Sequence, residues 1–91
     1  MPSIEIRRQH KKPMKDARHA VEKVAEKIAE RFGIDYNWQG NTLHFERSGV
    51  NGYIALSKGE VHVTANLSFF LGALKGPIER EIDRQIEQEF A

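Results

Sequence analysis

The chain has 91 residues, 40% of them hydrophobic and 30% charged, with a formal net charge of +1. That is room for one domain, 1–91, with a modest core that hides roughly 60–65% of the unfolded surface, and the composition is globular rather than disordered. With no cysteine in the chain, disulfides and thiol chemistry are excluded.

The segment MPSIEIRRQHKK has no apolar signal core, and no run approaches the ~20 apolar residues of a transmembrane span. The expected address is the cytoplasm. From Ser3 to Gln9, Ile4 and Ile6 alternate with Glu5 and Arg7, which predicts a short strand whose charged ends suit a sheet edge. Pro13 suits the first turn of a helix. Met14, Ala17, Val21, Val24, Ile28 and Phe32 follow at spacings of three or four, with Gly33 at the C-cap position, which predicts a helix over about 13–32.

The period then changes to two. Ile34, Tyr36 and Trp38 alternate with Asp35 and Asn37, and Leu43 and Phe45 with His44 and Glu46 across a Gln39-Gly40-Asn41 turn. Ser48-Gly49 and Asn51-Gly52 bracket a second turn, Tyr53–Leu56 forms a third run, and Val61, Val63 and Ala65 complete a fourth after Ser57-Lys58-Gly59. Short loops make this an antiparallel meander of four strands with one apolar and one wetter face. Ser68 is an N-cap candidate for a final helix. Gly76-Pro77 either kinks that helix or opens a second segment, leaving Phe69–Lys75 as a separate oily turn. The order βαββββα predicts an α+β two-layer sandwich: a four-strand meander plus an N-terminal edge strand, with both helices on one face. The other face would carry His44, Glu46, His62 and Thr64.

In the last helix an apolar residue recurs every fourth position: Phe70, Leu74, Ile78, Ile82, Ile86, Phe90. Four residues turn a helix by about 400°, so on one continuous helix this stripe drifts by roughly 200° from end to end. One flat surface cannot cover it: either the helix curls round its own core, or one end meets a second copy, a membrane-like surface or a hydrophobic particle. The expected free surface is Phe69, Phe70, Leu71, Leu74 and Phe90, available to a second copy or a hydrophobic particle.

Charge is distributed unevenly. Arg7, Arg8, Lys11, Lys12, Lys15 and Arg18 make a basic arm, and Glu79, Glu81, Asp83, Glu87 and Glu89 an acidic tail. Head-to-tail contact would gain from this. Arg7, Arg8, Lys11, Lys12 and Lys15 are the candidate contacts for an anionic partner, and a basic segment beside an oily one would also grip an anionic surface. Low net charge and the lack of interleaved aromatics argue against nucleic acid.

Chemistry-bearing motifs are absent. His10, His19, His44 and His62 lack metal-ligand spacing, no serine or cysteine sits in a nucleophile motif, and no glycine-rich phosphate loop opens a helix. His44 and His62 share a sheet face about 10 Å apart if the strands pair in order. The Glu22, Glu26, Glu30 row beside Lys23, Lys27 and Arg31 reads as a charge-laced solvent face. No catalytic, metal or cofactor residues are assigned.

Ile4 and Ile6, His10, Ala17-Arg18, Phe32-Gly33, Trp38, Gly40-Asn41, Phe45, the Gly49-to-Gly52 turn, Leu71, Leu74-Lys75, Ile78-Glu79 and Ile82 occur in an order that resembles the polyhydroxyalkanoic acid system family. These are small bacterial proteins often encoded near polyhydroxyalkanoate synthase and granule genes. The resemblance spans nearly the whole chain. It implies the bacterial cytoplasm, storage-polyester metabolism and association with the granule or its proteins; it carries no catalytic residues. The expected function is a non-enzymatic binding or assembly protein of that storage system. The alternative is an acyl- or hydroxyacyl-binding protein or enzyme with a cleft between sheet and helices. Tyr36, Trp38 and Phe45 would line that cleft, with His44 or His62 as acid–base group.

Overall fold

The computed structural model describes residues 3–90; Met1, Pro2 and Ala91, the outermost positions of the expected 1–91 domain, lie outside the described residues. The elements are β1 (Ser3–Gln9), α1 (Met14–Phe32), β2 (Asp35–Gln39), β3 (Thr42–Arg47), β4 (Val50–Ser57), β5 (Glu60–Leu67), a 3-10 helix (Phe69–Leu74) and α2 (Lys75–Glu89). This is the expected α+β order. The five strands form one antiparallel sheet in the order β1-β5-β4-β3-β2, so β1 is an edge strand as its charges predict.

The three links of the meander are two-residue turns, Gly40-Asn41, Ser48-Gly49 and Lys58-Gly59, each with a glycine at positive φ. A two-residue turn fixes register, and register fixes which side chains face inward. Ile4, Leu43, Phe45, Ile54, Leu56, Val61, Val63 and Ala65 thereby meet one face, where Val21, Val24 and Ile28 of α1 and Ile78, Ile82 and Ile86 of α2 cover them. His44, Glu46, His62 and Thr64 lie on the open face, as expected.

α1 starts one residue after Pro13 and ends at Gly33, whose φ of 67° places it in the left-handed region and whose N–H donates to the Ala29 carbonyl at 2.8 Å. One expectation is corrected. Asn51 and Gly52 belong to β4, paired with Asn66 and Ala65 of β5, and not to a turn. Gly52 sits there because its neighbours leave no room for a Cβ. Of the two courses expected at Gly76-Pro77 the chain takes the second: the backbone tightens to 3-10 over Phe69–Leu74, a separate turn, and α2 begins at Lys75, so the apolar stripe does not run along one helix. Pro77, in the first turn of α2, lacks only an N–H that would have no helical partner there. Ser68 precedes the 3-10 helix in extended conformation, without a side-chain cap; its N–H donates to the Gly49 carbonyl at 2.7 Å.

Candidate functional site

The break at Leu74 decides what is exposed. On α2 the fourth-position residues Ile78, Ile82 and Ile86 are all buried, as is Phe90 after it. On the 3-10 helix, Phe69 is 83% and Phe70 91% exposed, their rings edge-on with centroids 6.1 Å apart, and Leu74 is 37% exposed. Ala73 and Pro77 are also exposed and continue this apolar tip, although the sequence pattern did not mark them. Two of the expected surface residues leave the group. Leu71 is turned inward onto the core, with its Cδ1 close over Gly49. Phe90 is buried, its ring 5.2 Å from that of His10, because α2 runs back along the sheet and its end reaches the β1–α1 loop. The tip is therefore a protrusion braced from behind by Leu71, Ser68 and the Ser48-Gly49 turn.

The basic arm is elsewhere. Gln9 pairs with Glu60 and the His10 N–H donates to Gly59 at 2.9 Å, so Lys11 and Lys12 stand beside the β4–β5 turn. The 3-10 helix follows the far end of β5, beside the β3–β4 turn. Basic and oily segments thus occupy opposite ends of a molecule 38 Å long, not adjacent ground. The candidate cations also separate. Arg7 is paired with Glu5 and Glu60, and Arg8 with Glu87 of α2, which satisfies within one chain part of the charge asymmetry expected to act between copies. Lys11 and Lys15 are exposed and Lys12 half-buried.

Two carboxylates that read as surface charge are structural. Glu22 accepts a hydrogen bond from the Tyr36 hydroxyl at 2.6 Å and from Trp38 Nε1 at 2.7 Å, while the Arg18 guanidinium stacks 4.2 Å from the Trp38 ring. Tyr36 and Trp38 alternate along β2, so both reach α1, and this clamp ties the short edge strand to the helix. The hydrogen bond to Glu22, then burial, pushes the Tyr36 hydroxyl up to about 12. A raised folded value stabilises the fold fully below pH 10 and is lost as pH rises toward 12. Absorbance titration should show a tyrosine ionising near pH 12 that Tyr36→Phe removes and Glu22→Gln shifts back toward 10.

Glu81 is buried on α2, at the position where the helical period puts it on the face of Ile78 and Ile82. It accepts hydrogen bonds from Gln85 Nε2 at 2.8 Å and from Arg84 at 2.8 and 2.9 Å, and Arg31 of α1 approaches at 3.3 Å. The Gln85 and Arg84 hydrogen bonds hold this carboxyl below the usual range against the opposing effect of burial. A lowered folded value stabilises above the unfolded value, 4.5, and the stabilisation fades as pH falls below it. Glu81→Gln should lower stability by about 1–2 kcal/mol at neutral pH. In denaturant melts the gap to the parent chain should narrow as pH falls below 4.5.

The sequence profile of a family described as "putative polyhydroxyalkanoic acid system protein" matches residues 4–90. The chain belongs to this family. No curated protein and no solved structure matches the chain.

In this member of the family, the cleft between sheet and helices is nearly closed. Val24, Ile28, Tyr36, Phe45, Ile54 and Ile82 surround a cavity of about 10 Å³, the room of roughly one water. An acyl chain would have to part α1 from the sheet to enter. On the open face, the Tyr53 ring lies 6.2 Å from both His44 and His62, on the strand that separates theirs. His62 Nε2 lies 3.5 Å from a Glu5 oxygen and 3.4 Å from the Thr64 hydroxyl. Among the described residues, no group of three or more His, Asp or Glu is placed to hold a metal ion, and no helix is long and apolar enough to cross a membrane.

Proposed function

We propose that this protein is a non-enzymatic binding protein of the polyhydroxyalkanoate storage system, cytoplasmic, that attaches end-on to the hydrophobic granule surface through Phe69, Phe70 and Leu74. The observation that carries this reading is the pair of adjacent phenylalanines, 83% and 91% exposed, on a braced turn that contributes no fully buried residue.

The size of the tip favours a polymer surface over a second copy. Two aromatic side chains offer roughly 150–250 Å² each, and Leu74 adds a third of its surface. Stable protein interfaces need roughly 800 Å² per partner, shaped to fit. A soft polyester surface requires no matched shape; it takes up a protruding ring much as a lipid interface does. Family membership supports a polyester as that surface. The nearly closed cleft and the separated histidines favour this reading over an acyl-binding enzyme.

The test is co-sedimentation with amorphous polyhydroxybutyrate particles, silica particles serving as the polar comparison. The protein should pellet with the polyester and stay in solution with silica. Light scattering over a concentration series should give a monomer. A dimer dissolved by Phe70→Glu would assign the tip to self-association and overturn the reading, as would failure to pellet with the polyester.

A further inference from the structure

The end of the molecule opposite the apolar tip carries a second surface. The β1–α1 loop, the first turn of α1 and the β4–β5 turn enclose an open cup with Lys11, Lys12 and Lys58 around it and Pro13 and Met14 in its lining. Among the described residues, no carboxylate lines it. Lys58 comes from a turn distant in sequence, and only the fold brings it to the basic arm. Lys15, exposed in the first turn of α1, adds a fourth cation nearby.

The backbone under these lysines is fixed. The His10 N–H donates to Gly59 at 2.9 Å, and the Lys12 N–H donates to His10 Nδ1 at 3.1 Å. The His10 ring is itself buried and packed against Phe90. The charges are also uncommitted. Arg7, Arg8, Arg31 and Arg84 are in ion pairs, whereas none of Lys11, Lys12, Lys15 and Lys58 is, among the described residues. Of the carboxylates near this end among the described residues, Glu60 is held by Arg7 and Glu87 by Arg8.

We infer that this cup is a docking site for an acidic, partly apolar segment of a partner protein. The lysines would meet its carboxylates, and Pro13 and Met14 an apolar side chain between them. A small-molecule site encloses most of its ligand, and this cup is open along one side. Single-stranded nucleic acid needs exposed aromatic platforms beside the charges, and the rings here, His10 and Phe90, are buried. The inference rests on the proposed function in one respect: with the tip on a surface, the cup is held at the far end of a 38 Å molecule, free to recruit a partner.

The test uses the full chain and a fluorescein-labelled Glu-Leu-Glu-Glu-Leu-Glu peptide, followed by anisotropy at low salt. Saturable binding is expected. It should weaken about tenfold or more in Lys11→Glu/Lys58→Glu, a variant altered only at exposed charges, and severalfold when glycine replaces the peptide's leucines. Phe70→Glu should bind the peptide as the parent does, and the lysine variant should still pellet with polyester, so each reading can fail alone. Absence of saturable binding, indifference to the lysine reversal in a variant with unchanged circular dichroism, or equally tight binding of labelled oligothymidylate would overturn the assignment.

Discussion

Gly52→Ala is expected to destabilise the fold by about 3 kcal/mol or more, lowering the melting temperature by roughly 12–24 °C for a domain of this size. A Cβ at this position would stand 2.1 Å from the Thr64 carbonyl oxygen, 2.8 Å from Ala65 Cα and 2.9 Å from Phe45 Cζ. The first two are backbone atoms of the neighbouring strand and cannot rotate away. β4 and β5 must therefore part at the centre of the sheet, and the Phe45 ring must also shift in the core it fills. Phe45 is 7% exposed, and its loss alone would cost about 3–5 kcal/mol. Adding Phe45→Leu to Gly52→Ala should recover only part of the stability, because it relieves the ring contact and leaves the backbone contact. Thermal melts followed by circular dichroism decide the matter. An unchanged melting temperature would mean that the close approach of β4 and β5 at Gly52 does not exist.

The second large effect concerns binding. Burying a phenylalanine in an apolar phase is worth roughly 1.5–3 kcal/mol, so Phe69 and Phe70 together favour attachment by about 3–6 kcal/mol, or roughly 10²–10⁴ in partition. Phe70→Glu removes half of that and adds a charge that resists leaving water. The bound fraction on polyester particles should fall at least about tenfold, and to background in Phe69→Glu/Phe70→Glu. Stability should change little, since neither ring touches the core. The contrast with Ile82→Ala is diagnostic: that change empties a core site and should cost about 2–5 kcal/mol while leaving the tip intact. Unfolding of Phe70→Glu, or undiminished binding by the double variant, would remove the tip from the function.

Much of the architecture is legible in the residue pattern. The shift from a spacing of three and four before Gly33 to a spacing of two after it marks where helix gives way to sheet, and the charged ends of Ser3–Gln9 mark an edge. What escapes is set by three-dimensional neighbours. Gly52 reads as a turn glycine because Asn-Gly is a turn signal; that it admits the Phe45 ring requires knowing that Phe45 of β3 pairs with it. Glu22 belongs to a row of similar glutamates, and only the docking of β2 singles it out. Glu81 carried a usable signal. Positions 78, 81, 82, 85 and 86 share one helical face whatever residues occupy them, and Glu81 and Gln85 are both buried there. The drift of a single helix points Phe90 outward, but the helix starts afresh after Leu74. For the tip itself, Phe69-Phe70 was identifiable as oily, while its exposure depended on that same break.

The position of β1 in the sheet also governs how the protein reaches its native state. Strands β2 to β5 are joined by two-residue turns and can zip up as successive hairpins, whereas β1 must find Glu60–Asn66 across most of the chain's length. Non-local pairing of this kind is the slow part of folding. Until it happens, the hydrogen-bonding edge of β5 is bare and the seat of Ile4 in the core is empty, an arrangement that invites strand addition from another molecule. Substitutions in Ser3–Gln9 will therefore register first in the yield of soluble protein and in refolding rate, ahead of any change in the finished structure.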